Sequence, residues 1–126
     1  ISTASGVPDY ASKASKSVAP HMANSVPKKA MGSGSRLDAT PTYSHHALAA
    51  LGQKDLLHHW IQQNHDRLGQ KAGFPQEKTN EIHGAWGDNK NQVKMMDDGL
   101  RSDLMTWLLQ WEESVEVCMA LGTSLC

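Results

Sequence analysis

The sequence predicts an α/β protein built on a parallel sheet, and two observations predict it. From about residue 39 onward, segments with helical spacing alternate with short apolar runs suited to buried strands. The strand-like runs also end in polar groups, Gln63-Asn64-His65-Asp66, His83-Gly84 and Gly122-Thr123-Ser124. Parallel sheets bind ligands outside the carboxyl ends of their strands, so three such endings in one small chain mark a candidate site.

Each element has its own warrant. Residues 1–38 are rich in Ser, Ala, Gly, Pro and Lys, as in "ASKASKSVAP", with weak apolar periodicity. That composition predicts loop or locally helical structure with a flexible end. Residues 39–126 carry the expected α/β core. "TPTYSHHALAALGQ" starts a helix behind Pro41 and Thr42 and is expected to stop at Gly52. Leu56 to Asn64 is a short apolar run ending in amides, a buried strand. "HDRLGQKAG" reads as a short helix closed by Gly73 and Pro75, and Lys78 to Gly84 as a brief strand. Leu100, Leu104, Trp107, Leu108 and Trp111 recur on one helical face. "VEVCMALGTS" reads as a last apolar strand running into Gly122-Thr123-Ser124.

Bulk composition narrows the function. The 126 residues carry 12 Lys and Arg against 13 Asp and Glu, a formal net charge of −1. This is far from the basic balance of nucleic-acid binders, so no nucleic-acid partner is expected. No apolar stretch approaches the roughly 20 residues that span a bilayer, and no membrane partner is expected. With only Cys118 and Cys126, neither a disulfide scaffold nor a Cys-rich zinc site is expected. The compartment expected is intracellular, cytoplasmic or nuclear.

The strand ends supply the candidate chemistry. Gln63, Asn64 and Asp66 can hydrogen-bond a carboxamide or ribose hydroxyls, and Asn64 or Asp66 serves equally as a helix cap. Gly122, Thr123 and Ser124 offer backbone N–H groups and hydroxyls to a ribose or phosphate, or make an ordinary turn. His83 has the ordinary imidazole titration range that suits a general base near neutrality, or it is a structural or exposed histidine. The pairs His45-His46 and His58-His59 are not chelates, because adjacent side chains diverge on both helix and strand. No metal ligand is assigned. Trp107 and Trp111 are read as core.

Taken in order, these blocks resemble the sirtuin family of NAD-dependent protein-lysine deacylases. Ser5-Gly6-Val7-Pro8-Asp9-Tyr10 is similar to the family's Ser-Gly-Ile-Pro-Asp-Phe segment, Gln63-Asn64-His65-Asp66 to Gln-Asn-Ile-Asp, Ile82-His83-Gly84 to Leu-His-Gly, and Gly122-Thr123-Ser124 to Gly-Thr-Ser. "TPTYSHHALAAL" is similar to the family's Pro-Thr-x-x-His-x-Ala-Leu helix through His46, Ala47 and Leu48. The resemblance implies a partial Rossmann-like NAD-binding domain and NAD as cofactor. It implies that Ile1, Ser2, Val7, Pro8, Asp9 and Tyr10 belong to a loop closing over NAD. Gln63, Asn64 and Asp66 would line the ribose and nicotinamide pocket, and Gly122, Thr123 and Ser124 the adenosine side. His83 would be the catalytic base that deprotonates a ribose hydroxyl. The partner would be a protein or peptide bearing an acylated lysine, and the products free lysine, nicotinamide and an O-acyl-ADP-ribose.

Four departures qualify the resemblance. The family's Phe-Arg becomes Tyr10-Ala11, so a cation is lost, and Lys13 is displaced and lacks the bidentate geometry of Arg. His65 puts a polar, titratable ring where the family packs an apolar one. No Cys lies between His83 and Cys118, where the family places its zinc-binding pairs, so no zinc and a reduced or absent small domain are expected. "QVKMMDDGL", with Val93, Met95 and Met96, is the counterpart of the acyl-lysine groove segment. The family's Gly-Ala-Gly and its later NAD-binding segments are not in the sequence, so a catalytic-core fragment, inactive alone, is expected. The rival expectations are a non-catalytic NAD or ADP-ribose binding module and an α/β interaction domain.

Overall fold

A computed structural model describes residues 2–5, 7, 38–94 and 98–122. Helix α1 (Tyr43–Gln53) is followed by strand β1 (Trp60–Ile61), short helix α2 (Leu68–Lys71), strand β2 (Thr79–Asn80) and helix α3 (Ser102–Glu112). Single 3₁₀ turns cover Ser2–Ser5 and Gln76–Lys78. The strands pair in parallel, Trp60 opposite Thr79 and Ile61 opposite Asn80. Helices flanking a parallel pair make this the α/β arrangement that the alternating pattern predicts.

Helix α1 starts where a capping box closes it. The Thr42 backbone N–H donates to His45 Nδ1 at 3.1 Å, and the Thr42 hydroxyl lies 2.8 Å from the same nitrogen. An N–H group can only donate, so Nδ1 carries no proton and the hydroxyl donates to it as well. The helix does not stop at Gly52, as the sequence predicts, but continues to Gln53 and turns at Asp55, which takes a left-handed φ of 56°. Asp is among the residues that tolerate that conformation. Gly52 serves packing instead: a Cβ there would sit 2.3 Å from the Phe74 ring. The bare backbone is what lets α1 lie on the chain that follows α2.

The core is small and sits under the strands. Leu68 is fully buried, and Ala49, Phe74, Ile82, Ala85 and Trp111 are buried with it. The Trp60 ring stacks against His45 and meets the Phe74 ring edge-on at a centroid separation of 5.1 Å. On the other side α3 is tied to β2 by the Asn80 amide, which donates to the Leu104 carbonyl at 2.8 Å. Trp111 stacks on His59 at 4.0 Å and packs edge-on with Trp107 at 4.5 Å, so only one end of the α3 apolar face is buried.

The last expected strand is corrected. The Val115 backbone N–H bonds back to the Trp111 carbonyl at the end of α3, and residues 116–121 are exposed with no strand pairing. A strand exists only where a neighbour accepts its ladder of hydrogen bonds. Among the described residues the sheet has two strands and neither receives this segment. No helix among the described residues is long and apolar enough to cross a membrane.

Candidate functional site at the ends of the strands

Beyond Ile61 the chain leaves β1 through Gln62, Gln63, Asn64, His65 and Asp66, and beyond Asn80 it leaves β2 through Glu81, Ile82, His83 and Gly84. Parallel pairing puts both exits on the same side of the sheet, which is how residues about twenty positions apart become neighbours. The exits are laced together directly. His65 Nδ1 bonds the Gly84 carbonyl at 3.1 Å, and the Trp86 backbone N–H donates to the His65 carbonyl at 2.8 Å.

Asp66 is buried and does two things at once. Its Oδ1 accepts from the Leu68 backbone N–H at 3.0 Å, capping α2, and from Gln62 Nε2 at 3.0 Å. Its Oδ2 is buried with no hydrogen-bond donor, and so is Gln62 Oε1. The Gln62 amide cannot be reversed, because its oxygen would then face a carboxylate. Two buried acceptors on side chains bonded to each other thus lack donors, a state that costs free energy unless something supplies N–H or O–H groups. The helix-cap reading of Asp66 is met by Oδ1, and Oδ2 is left without a donor.

Asn64 is more exposed and donates from Nδ2 to the Ser2 hydroxyl at 3.0 Å. This brings the start of the chain to the strand ends, 62 residues apart in sequence, with Ser2 buried on its 3₁₀ turn. Gln63 is exposed, and Val7 is half-buried. Gly122, with a φ of 67°, is exposed on the segment that follows α3. Ile1, Pro8, Asp9, Tyr10, Thr123 and Ser124 lie outside the described residues, as do Met95 and Met96.

His83 is half-buried on the turn after β2. Its backbone carbonyl accepts from the Lys94 N–H at 2.9 Å, which anchors the turn to the chain beyond it. Burial, and secondarily the like charge of His65, holds its imidazole below the ordinary histidine range. A ring kept neutral at physiological pH is a proton acceptor. Gly84 makes the turn possible. Its φ is +78°, and a Cβ there would lie 2.1 Å from the Gln92 carbonyl oxygen.

The structure adds residues that the sequence pattern does not single out. Gln62, Asn80, Glu81 and Asn91 are all buried here. Glu81 pairs with Arg67 Nε at 3.6 Å, its carbonyl accepts from Asn91 Nδ2 at 3.0 Å, and the Asn91 carbonyl accepts from the Ala85 N–H at 2.9 Å. For Gln62, Asn80 and Glu81 the available signal was polar side chains inside runs otherwise read as buried strands, and Asn91 had none. Among the described residues, no group of three His, Cys, Asp or Glu comes together as a metal site.

No protein-family model matches the chain. Among solved structures it is similar to Sir2Tm bound to a propionylated peptide, with 22% identity over 87% of this chain and a TM-score of 0.59. It is similar to a Sir2–p53 peptide–NAD+ structure at 23% identity and a TM-score of 0.58. A third similar structure is Sir2 in complex with the inhibitor EX-527, 2'-O-acetyl-ADP-ribose and deacetylated p53 peptide, at 22% identity and a TM-score of 0.58. The chain spans about 60% of the length of these neighbours: 61%, 61% and 60% respectively. The likeness establishes the fold: the described residues form part of the Rossmann-like α/β fold of the sirtuins.

Proposed function

We propose that this chain carries the nicotinamide end of a sirtuin-type NAD-dependent protein-lysine deacylase, with His83 as general base. The observation that carries the reading is the pair of buried acceptors without donors, Asp66 Oδ2 and Gln62 Oε1, laced to the turn that bears a neutral imidazole. Structural neighbours are complexes with NAD+ and with a propionylated peptide, in agreement with it.

The residues present fit the cofactor. A primary carboxamide carries two N–H donors, and two acceptors lacking donors are what the β1 exit offers. Asp66, Asn64 and Gln63 would hold the nicotinamide and its ribose, with Ser2 and Val7 from the start of the chain beside them, and Ile1, Pro8, Asp9 and Tyr10 completing that loop. Gly122, Thr123 and Ser124 would serve the adenosine side. Bound NAD supplies a scissile bond between nicotinamide and ribose. Asp66 orients the carboxamide at that bond, and its rigidity comes from the two donors already fixed on Oδ1. His83 would accept a proton from a ribose hydroxyl of bound NAD at its unprotonated ring nitrogen. The partner is a protein or peptide with an acylated lysine.

The test is deacylation of an acetyl-lysine peptide by the full-length protein, with nicotinamide release followed in parallel. His83→Ala is expected to lower deacylation by about 10²–10⁴-fold, and Asp66→Asn to weaken NAD binding with the α2 cap retained. Deacylation undiminished in His83→Ala overturns the base. NAD binding without peptide-dependent release of nicotinamide by the native protein replaces the reading with a non-catalytic NAD or ADP-ribose binding module.

A further inference from the structure

We propose that His65 is a positioning residue for His83, clasping the His83–Trp86 turn from the end of β1 by both its ring and its main chain. The proposal rests on reading His83 as the base.

The hydrogen-bonding capacity of each partner fixes where the proton sits. The Gly84 carbonyl can only accept, so the 3.1 Å contact requires a proton on His65 Nδ1. Neutral His65 is therefore the Nδ1–H tautomer, the opposite of His45, whose Nδ1 receives a backbone N–H. The His65 carbonyl in turn accepts from the Trp86 N–H at 2.8 Å, and the Trp86 ring lies tilted at 6.1 Å from the imidazole. One buried residue thus holds the turn on both sides of Ala85, two residues after His83.

The clasp acts on a backbone that has little freedom elsewhere. Gly84 is in the left-handed region, its N–H donates to the Glu81 carbonyl at 2.8 Å, and the Lys94 N–H holds the His83 carbonyl at 2.9 Å. The ring orientation of His83 follows from where this backbone sits. An apolar side chain at position 65 would pack here but could not bond Gly84. The residue that departs from the sirtuin pattern is the one that ties the two strand exits together.

The test uses the full-length protein with ¹⁵N-labelled histidine and two variants of equal charge. His65→Asn places an amide N–H near the position of Nδ1, whereas His65→Gln places it near that of Nε2. Asp66, Arg67, Glu81, Asp88, Lys90 and Lys94, the charged groups on the adjoining segments, are unchanged in both. Native His65 is expected to show the Nδ1–H pattern. The His83 titration midpoint is expected to stay lower in His65→Asn than in His65→Gln, because only the former keeps the turn and its burial of His83. In the activity arm, His65→Gln lowers deacylation by about 10- to 100-fold. It leaves nicotinamide exchange, which precedes the base, within about threefold, and His65→Asn restores deacylation.

An Nε2–H pattern at His65, or equal His83 midpoints in the two variants, overturns the proposal. Equal loss of exchange and deacylation in His65→Gln also overturns it, since a merely structural residue would impair both. If the native protein does not deacylate at all, the function reading fails by itself, and the tautomer and titration results still decide the role of His65.

Discussion

The two ends of the core use their side chains in opposite ways. Around the strand exits, from Gln62 to Asn91, polar groups are buried: Gln62, His65, Asp66, Asn80, Glu81 and Asn91. From α3 onward, apolar groups are exposed, with Leu109 at 52%, Val117 at 84% and Met119 at 58%. Folding ordinarily does the reverse, because burying polar groups costs free energy unless each finds a partner and exposing apolar ones forgoes hydrophobic stabilisation. In the first region hydrogen bonds within and around the strand exits meet part of the cost, and Gln62 Oε1, Asp66 Oδ2, Asn80 Oδ1 and Glu81 Oε1 are left without a hydrogen-bond partner. In the second region nothing comparable holds residues 116–121, and the described chain gains little from their apolar side chains.

The comparison is broken most severely at Gly84. Replacing it with Ala forces a Cβ against the Gln92 carbonyl and a left-handed φ on a side chain that resists it. We expect a loss of about 3 kcal/mol or more in urea unfolding. A loss below about 1 kcal/mol would show that the turn relaxes freely and that the strand exits are not rigid.

A smaller effect sharpens the polar side of the comparison. His45 caps α1 through an unprotonated Nδ1, and burial holds its imidazole below the ordinary range, opposed by the more weakly acting Asp66. Protons therefore bind the unfolded chain more readily than the folded one. The stability contributed by neutral His45 is full above the unfolded value of about 6.5 and is lost as pH falls through the lower folded value. Melting followed from pH 8 to 5 should show a decline of which about 1 kcal/mol belongs to this cap. His45→Gln keeps a capping-box residue and removes the proton, so its curve should be flatter, with His59 and His83 supplying what slope remains. An unchanged slope would remove His45 from the account.

The smallest effect belongs to the exposed segment. Val117→Ser should change stability by less than about 0.5 kcal/mol, measured by the same urea titration. A larger loss would mean that this apolar segment is covered in solution, and the contrast between the two regions would close.

Much of this arrangement was legible in the residues. The alternating pattern predicted parallel pairing, and the polar endings of the first two strand-like runs come together where that pairing puts them. The helical face of Leu104, Trp107, Leu108 and Trp111 gave α3, which spans Ser102–Glu112. The pattern of Val115, Val117, Met119 and Leu121 was equally apolar and produced no strand. Periodicity records a segment's capacity to pair and carries no information on whether a neighbour is there to pair with. Gly52 was read as a stop because glycine ends many helices, whereas the Phe74 ring needed it inside one. His65 was legible only as a polar ring in an apolar position.

The amino-acid order by itself determined the local chemistry: which residues can cap, turn, accept or donate, and that Asp66 and His83 follow strand-like runs. Those properties depend on each side chain and its immediate neighbours. The tertiary structure alone decided which oxygen of Asp66 caps α2 and which is left without a donor, and that His65 reaches Gly84. It likewise decided that Nδ1 of His65 carries the proton. A protonation state is set by the partner a few ångströms away, and that partner is chosen by the parallel pairing of two strands distant in sequence.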